Sequence, residues 1–318
     1  MEQANNNGQS AHDIPRVVRA LRAGFRTLGP IVPRLMGLLA WRLWFSTHRF
    51  PAPARERRLL ERATHTRIQV DGHDVAVYSW GDGPPVLLVH GWNGRGSQLG
   101  SFVEPLRRAG HRVVALDFPA HGQTAGKQTN LFEMVAVLEA IGDGHGPFAG
   151  VIAHSLGVTA LAMALADGFP AERVVCVSPT ARLDELMDKF ATMLHIPEPV
   201  LVPVRRRVER RFGPQIWHEA SAEHVAAGLT TPALIIHDRD DEDVPWQESE
   251  RIARAWPGAG FIRTEELGHR RILRSRQVIE MATEFLTSHV LAGDSPMAPK
   301  LPANAMQFTT NSVATQEL

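Results

Sequence analysis

The sequence has little cysteine, little lysine and no long apolar segment, and the first and last of these shortages each exclude a class of protein. Cys176 is the single cysteine among 318 residues, so the chain can form neither an internal disulfide nor a metal cluster held by several cysteines. It lies in the apolar run Val174–Val177, where a thiol packs as a small apolar side chain. The chain has 3 lysines beside 31 arginines, a preference typical of a GC-rich bacterial genome.

Long apolar runs and a net charge are also absent. The most apolar segment, residues 31–45, is interrupted by Pro33, Arg34 and Arg42 and is shorter than the ~20 residues that a membrane-spanning helix needs. The first residues show no basic region leading into an apolar core, so we expect a cytoplasmic protein without a secretory signal peptide. The net charge is zero, and we therefore expect no nucleic-acid partner.

Positive charge is nevertheless concentrated near the N-terminus, because residues 1–70 hold 12 arginines and 4 acidic residues. Steps of three and four residues, with apolar residues between them, separate Arg16, Arg19, Arg22 and Arg26. This spacing predicts a basic amphipathic helix in an N-terminal arm of residues 1–64. Two interpretations stay open: the arm packs on the rest of the protein, or it binds the inner face of a membrane with help from aromatic residues (Trp41, Trp44 and Phe45).

From residue 67 onward, segments that favour strand alternate with segments that favour helix. Strands are predicted over residues 67–70, 75–80, 85–89, 112–116, 148–153, 173–177, 233–236 and 260–264. Helices are predicted over residues 99–108, 131–141, 156–166, 247–255 and 277–290. Asp71-Gly72 joins the first two strands as a hairpin. The later alternating units predict an α/β protein with a mostly parallel eight-stranded sheet and helices on both faces.

The predicted catalytic domain, residues 65–180 and 230–291, is interrupted after the sixth strand by residues 181–229. This insertion combines a helical pattern over Leu183–Leu194, a turn rich in proline (Pro197, Pro199 and Pro203) and an arginine run at 205–211. We expect a helical lid over the carboxyl edge of the sheet, with an apolar binding site lined by Phe190, Met193, Leu194 and Trp217. The arginines form a solvated helix face or contact an anionic substrate. Residues 292–318 have the composition of a disordered tail.

The segment around Ser155 is the most informative of the chain. An apolar run ends in Ala153-His154-Ser155-Leu156-Gly157, and a helical run follows. A serine on a sharp strand-to-helix turn exposes its Oγ, and small residues are needed two positions before and after it. Ala153 stands where the common pattern has Gly. The pattern alone is weak evidence, and its position between strand and helix strengthens it.

Activating such a serine requires a base and an acid that orients the base. Acids follow the strand at residues 233–236, at Asp238, Asp240, Asp241 and Asp243. The last strand leads into Gly268-His269, where the glycine allows the backbone to turn the imidazole inward. The order serine, acid, histidine is that of strand–helix hydrolases, and the residues alone leave the choice among the four aspartates open.

Together these motifs resemble the α/β-hydrolase family, over about residues 67–290. The resemblance rests on Val86–Trp92 (VLLVHGW), Ala115–Gly122 (ALDFPAHG), the serine segment, the acidic loop and Gly268-His269. It is closest to bacterial serine esterases with a small helical lid. The resemblance implies a lid inserted after the sixth strand, and chemistry that needs no cofactor and no metal.

The resemblance also implies a role for individual residues. Ser155 would be the nucleophile and His269 the base. Laying the family's acid loop, His-Gly-x-x-Asp-x-x-Val-Pro, on His237–Pro245 places the acid at Asp241, with Asp238 where glycine is usual. The oxyanion hole would be formed by the backbone N–H groups of Trp92 and Leu156, and Asp117 and His121 would organise a neighbouring loop.

The function that follows is a serine hydrolase acting on a small-molecule acyl substrate, an ester, thioester or lactone. Acyl transfer and C–C bond hydrolysis use the same residues and remain alternatives, as does a binding protein that retains the fold without catalysis. No motif residue lies before His90, so we expect residues 1–60 to be dispensable for the chemical step.

Overall fold

An eight-stranded sheet forms the centre of the protein, described for residues 15–288 in this computed structural model. The strands are β1 (Thr64–Val70), β2 (His73–Trp80), β3 (Pro85–Val89), β4 (Arg112–Asp117), β5 (Gly150–His154), β6 (Val174–Val177), β7 (Ala233–Asp238) and β8 (Gly260–Thr264). Their spatial order is β1-β2-β4-β3-β5-β6-β7-β8. Pairing is antiparallel between β1 and β2 and between β2 and β4, and parallel across the remaining strands. The predicted α/β architecture is confirmed, while the predicted tail at 292–318 lies outside the described residues.

Helices cover both faces of this sheet. They are α1 (Arg16–Leu28), α2 (Pro33–Trp44), α3 (Ala54–Leu60), α4 (Val103–Arg108), α5 (Leu131–His145), α6 (Leu156–Ala166), α7 (Leu183–Leu194), α8 (Glu198–Phe212), α9 (Ile216–Glu219), α10 (Ala222–Ala226), α11 (Trp246–Ala255), α12 (Gly268–Arg271) and α13 (Arg276–Thr287). Short 3₁₀ helices occupy Gly96–Phe102 and Ile272–Arg274. No helix within residues 15–288 is long and apolar enough to cross a bilayer.

The apolar core is divided by the sheet because successive strand residues point to opposite faces. In β3, Leu87 and Val89 pack in one buried cluster with residues of α5 and α6. Val86 and Leu88 pack in the other cluster, with residues of α4 and α13. The near-continuous apolar sequence of the parallel strands follows from this burial on both faces.

The insertion contains a helix where the sequence suggested a turn. Residues Pro197, Pro199 and Pro203 lie at the start of or within α8, with Pro199 in its first turn, where a missing N–H breaks no bond of the helix. Apolar residues at helical spacing (Val200, Leu201, Val204 and Val208) are buried along one side. This amphipathic pattern outweighs the single internal proline, and the arginine run occupies the remaining face of α8.

The described part of the N-terminal arm packs on the insertion. Helix α2 lies along α8, and α1 contacts α7. Met36, Gly37 and Ala40 form the buried face of α2. The aromatic residues considered above for membrane contact instead face the insertion: Trp44 lies 5.3 Å from the ring of Phe190, and the Arg207 guanidinium lies 4.5 Å from the ring of Trp41.

Candidate active site

Ser155 occupies a strained turn between β5 and α6. Its backbone has φ 55° and ψ −131°, a left-handed conformation that is uncommon for a residue with a side chain. Gly157 follows where a Cβ would come within 2.4 Å of the His90 carbonyl oxygen. The loop after β3 packs against this turn and leaves no room for a side chain at Gly157. This close contact explains why the sequence pattern requires a small residue there.

Ser155, His269 and Asp241 form a continuous hydrogen-bonded chain. The Nε2 atom of His269 lies 3.1 Å from Ser155 Oγ, and its Nδ1 atom lies 2.7 Å from Asp241 Oδ2. The three residues follow the ends of β5, β7 and β8. These strands lie close together in the sheet, in the order β5-β6-β7-β8, so their carboxyl ends meet at the same edge. This arrangement can transfer the serine proton to the imidazole while the carboxylate fixes the ring.

The structure brings one of the four candidate aspartates to the histidine. Asp240 accepts a hydrogen bond from the Glu266 N–H at 2.7 Å, and Asp243 is exposed beside Arg270. Asp241 is the aspartate in contact with His269, as the alignment with the family's loop predicted.

Asp241 is buried and held by four donors. Its Oδ1 atom accepts from the N–H groups of Asp243 at 2.9 Å and Val244 at 2.8 Å. Its Oδ2 atom contacts His269 and, at 3.1 Å, Nε2 of His237. Burial by itself raises the pKa of Asp241, but the hydrogen bonds from both histidines and from Val244 outweigh it and hold the pKa well below its ordinary value. The carboxylate is therefore ionised across the physiological range.

His237, near the end of β7, anchors the loop that carries Asp241. The ring is fully buried, with Nδ1 2.5 Å from Ser249 Oγ and Nε2 3.0 Å from the Val244 carbonyl. The carbonyl can only accept, so Nε2 carries the proton and also faces Asp241, while Nδ1 accepts from the serine hydroxyl. His237 thereby holds the loop that carries Asp241 on the end of β7.

Asp238, which stands where the family has glycine, is a second residue whose role the sequence did not indicate. It is fully buried. One oxygen accepts from the N–H of Gly268 at 2.8 Å and of Leu267 at 3.1 Å, and the other accepts from Thr264 Oγ1 at 2.7 Å. The carboxylate thus ties the segment just before His269 to the end of β7.

His154 supports His269 from the other side. Its Nε2–H donates to the His269 carbonyl at 2.9 Å, and the two rings lie 4.6 Å apart. Burial is the main cause that lowers the pKa of His154 to about 3, so the ring is neutral at ordinary pH. The position of His154 directly before the serine marks it in the sequence as a residue near the site. Its hydrogen-bond partner, the His269 carbonyl, lies 115 residues further along the chain and could not be identified from the sequence.

The loop after β3 brings the Trp92 backbone next to the serine. The His90 Nε2 atom accepts from the Phe118 N–H at 3.1 Å, so Nδ1 donates to the Gly91 carbonyl at 2.7 Å. Because N–H and C=O of a trans peptide point in opposite directions, this bond aims the Trp92 N–H away from His90. Leu156 is the first residue of α6, a position whose N–H has no partner within its helix.

Asp117 and His121 organise the neighbouring loop, as expected. Asp117 accepts from the Tyr78 hydroxyl at 2.6 Å and from the Gly96 N–H at 2.8 Å. His121 Nε2 accepts from the Asn93 N–H at 3.0 Å. Both side chains are buried, and they connect the loop after β4 to the loop that carries Trp92.

A cavity of about 230 Å³ opens beside Ser155 and His269. The N-terminal arm contributes Phe50 and Glu56 to its wall. One Glu56 oxygen accepts from Arg95 Nε at 2.6 Å and from Ser97 Oγ at 2.9 Å. The expectation that residues 1–60 are dispensable therefore changes, because removing them would remove part of this wall.

The insertion contributes no residue to the wall of this cavity, which is lined by residues between 50 and 98, at 154 and 155, and between 243 and 274. Phe190 is packed against Trp44, and Leu194 is buried in the core. The Met193 side chain is 51% exposed to solvent. The Trp217 indole N–H donates a hydrogen bond to the Glu209 carboxylate within the insertion. These four residues therefore do not line this cavity, whereas Phe50 and Glu56 of the arm do. Among residues 15–288, no group of three His, Cys, Asp or Glu side chains is placed to hold a metal ion.

Comparison with known proteins finds one matching family model. A model described as "Alpha/beta hydrolase family" matches residues 86–281, which is more than half of the chain. A protein of Pseudomonas savastanoi pv. phaseolicola named as a carbamate hydrolase, RutD, is 46% identical over 43 residues, 14% of this chain and 17% of that protein. The similarity thus spans under a fifth of that curated relative.

Solved structures share the fold over a larger part of the chain. A membrane phospholipase A, described as a bacterial virulence factor, superposes with a TM-score of 0.56 at 17% identity, covering 85% of this chain and 95% of that one. Est1E from Butyrivibrio proteoclasticus, with ferulic acid bound, gives a TM-score of 0.53 at 18% identity and covers 70% of this chain and 96% of its own. At these identities the likeness is one of fold.

Proposed function

The chain belongs to the α/β-hydrolase family, and on that premise we propose that it is a serine hydrolase of carboxylic esters, thioesters or lactones. The observation that carries the proposal is the chain of contacts from Ser155 Oγ to His269 Nε2 at 3.1 Å and from His269 Nδ1 to Asp241 Oδ2 at 2.7 Å. A serine hydroxyl acquires nucleophilic character when a base is positioned to accept its proton.

In the proposed reaction, Ser155 Oγ attacks the acyl carbon while His269 Nε2 accepts the hydroxyl proton. Asp241, ionised and fixed by four donors, stabilises the resulting imidazolium. The N–H groups of Trp92 and Leu156 donate to the oxyanion of the tetrahedral intermediate. His269 then protonates the departing alcohol or thiol. A water molecule, deprotonated by the same imidazole, releases the acyl group and restores the serine.

Features of the cavity and of the relatives favour an ester substrate with polar character. The volume of about 230 Å³ fits a small acyl group beside the serine. Arg95, Arg270 and Arg274 contribute to the wall together with Glu56 and Asp243, and a wall of such charged groups favours polar groups on the substrate. One of the similar structures carries the name of a phospholipase, which is consistent with cleavage of an acyl–oxygen bond.

Labelling with a fluorophosphonate probe tests the proposal. We expect the probe to modify Ser155, located by mass spectrometry of the labelled peptide, and the Ser155→Ala variant to stay unlabelled with an unchanged circular dichroism spectrum. A p-nitrophenyl ester series from acetate to palmitate should show turnover that falls with acyl length. An unlabelled wild-type protein without turnover on any ester would instead indicate a binding protein built on this fold.

A further inference from the structure

A row of aliphatic side chains faces outward along the turn from α1 to α2. Leu28 ends α1, Ile31 and Val32 lie in the turn, and α2 continues the row. We call these six residues the apolar ridge: Leu28, Ile31, Val32, Leu35, Leu38 and Leu39. Ile31 is 73% exposed, Leu35 63% and Leu38 55%. Scattered apolar residues are ordinary on a surface, whereas a contiguous row of this kind marks a contact site.

The geometry of α2 prevents the fold itself from covering the ridge. Leu35, Leu38 and Leu39 recur at steps of three and four residues and share one side of the helix. The opposite side, with Met36, Gly37 and Ala40, is buried where α2 lies along α8. A rotation of α2 that buried the ridge would expose this second apolar face, so the ridge is free for a partner outside the described residues.

The charge around the ridge identifies the kind of partner. Residues 15–44 contain six arginines and no Asp, Glu or Lys. Arg34 and Arg42 are exposed on α2, at either end of its outward face. Arg22 donates through Nε to the Met193 carbonyl at 2.7 Å, which places the exposed Met193 beside α1. Residues 15–44 therefore combine exposed aliphatic side chains with charged side chains that are all positive.

We propose that the apolar ridge and its arginines dock the protein on an anionic lipid bilayer. Aliphatic side chains on a helix lying in the plane of the interface enter the boundary between headgroups and acyl chains. Guanidinium groups at the same level bind the lipid phosphates. The charged side chains of residues 15–44 are all positive, which suits a uniformly anionic lipid surface. A protein partner would have to match aliphatic and positive groups residue by residue.

The docking surface is connected to the candidate active site by the chain that follows α2. Thr47 Oγ1 donates to the Ala120 carbonyl at 2.7 Å, and Arg49 donates to the carbonyls of Thr124 at 2.6 Å and Gly126 at 2.9 Å. The next residue, Phe50, lines the cavity. Lipid contact at the ridge would therefore hold the cavity at a defined position relative to the bilayer.

Sedimentation of the full-length protein with vesicles tests this proposal. The protein should sediment with phosphatidylglycerol vesicles at low ionic strength, stay in solution with phosphatidylcholine vesicles, and be released as salt rises. Replacing Leu35 and Leu38 with Gln should weaken the partition coefficient at least about tenfold, since two buried aliphatic groups are lost. The pair Arg34→Gln and Arg42→Gln should weaken it on the order of tenfold.

Two controls separate this proposal from others. Arg276, which is 91% exposed on α13, lies on a helix that packs on the other face of the sheet, so Arg276→Gln should bind vesicles like the wild type. Ser155→Ala should also bind like the wild type, which keeps this test independent of the proposed hydrolase activity. Equal partition of the wild type and the Leu35→Gln, Leu38→Gln variant would overturn the proposal. So would a dimer that the same variant dissociates, if the wild type ignores phosphatidylglycerol.

Discussion

Gly91 and Ser155 are packed so closely that a Cβ on Gly91 would lie 2.8 Å from the Ser155 Cβ and 2.9 Å from the His154 carbonyl oxygen. Atoms this close repel strongly, so the position excludes every side chain. The contact sets the distance between the Trp92 N–H, which follows Gly91 directly, and the serine that would attack a substrate.

Gly91→Ala should therefore lower kcat by about a hundredfold, because displacing the loop by a fraction of an ångström removes an oxyanion donor from its place. The rate of p-nitrophenyl acetate hydrolysis measures this effect. Gly144 is a matched control, since a Cβ at this position of α5 meets no atom within 4 Å. Gly144→Ala should keep full activity. Unchanged kcat in Gly91→Ala would remove Trp92 from the proposed oxyanion hole.

Asp241→Asn should lower kcat by about 10⁴-fold, because an amide neither stabilises the imidazolium nor favours the required tautomer of His269. The neighbouring Asp240→Asn change is the control. Asp240 accepts from the Glu266 N–H and touches neither reacting group, so its replacement should cost less than about tenfold. A larger loss in Asp240→Asn than in Asp241→Asn would contradict the assignment of the acid.

Asp238→Asn should reduce both stability and activity, although glycine is usual at this position of the family's loop. The buried carboxylate accepts hydrogen bonds from the segment that precedes His269, and an amide nitrogen would face one of these donors. We expect the free energy of unfolding to fall by about 2 kcal/mol. We also expect kcat to fall while KM stays unchanged. Asp243→Asn, at a side chain that is 55% exposed, should change neither quantity, and equal behaviour of the two variants would contradict this role.

Glu56→Ala tests the contribution of the arm to the site. The change leaves the Arg95 guanidinium, whose side chain is 15% exposed, without its carboxylate partner, and breaking such a pair costs about 3 kcal/mol. Urea unfolding should show this loss, and kcat/KM should fall for an ester that fits the cavity. Wild-type stability and kcat/KM in this variant would restore the view that the arm is dispensable for chemistry.

Three buried histidines should lower the free energy of unfolding in acid. Burial is the main cause that lowers the pKa of His90 to about 4, and of His121 and His154 to about 3. In the unfolded chain each has a pKa near about 6.5. Below that pH the unfolded chain binds protons that the folded protein does not bind. The free energy of unfolding should therefore fall by about 4 kcal/mol per pH unit until the pH approaches about 4.

Urea unfolding as a function of pH measures this slope. His121→Gln removes one of the three groups, so the slope should decrease by about a third. A free energy of unfolding that stays constant between about pH 7 and about pH 5 would show that these rings are protonated in the folded protein.

The sequence predicted the sheet well because its strands are short apolar runs buried on both faces. All eight strands, and the helix over Leu156–Ala166, lie where periodicity placed them. It also predicted the Ser155, Asp241 and His269 grouping, since the order and spacing of the motifs carry that information. The resemblance to a family was needed to choose Asp241 among its neighbours.

Features that depend on distant contacts could not be predicted in this way. Asp238 and His154 gain their roles from partners about 30 and 115 residues further along the chain. Pro199 and Pro203 suggested a turn, whereas the apolar spacing of α8 produced a helix once α2 covered it. The position of the insertion relative to the cavity depends on the same packing of α2, which no local pattern specifies.

The packing of α2 along α8 has a consequence for how the family diversifies. Each helix covers apolar residues of the other, Met36 and Ala40 on one side and the buried face of α8 on the other, so loss of either would leave its neighbour with an uncovered surface. Evolution can therefore exchange the two segments only as a pair. Among homologous chains, those that lack the arm should carry a shortened or rewritten insertion, and substitutions at the α2–α8 contact should covary across the boundary between arm and insertion.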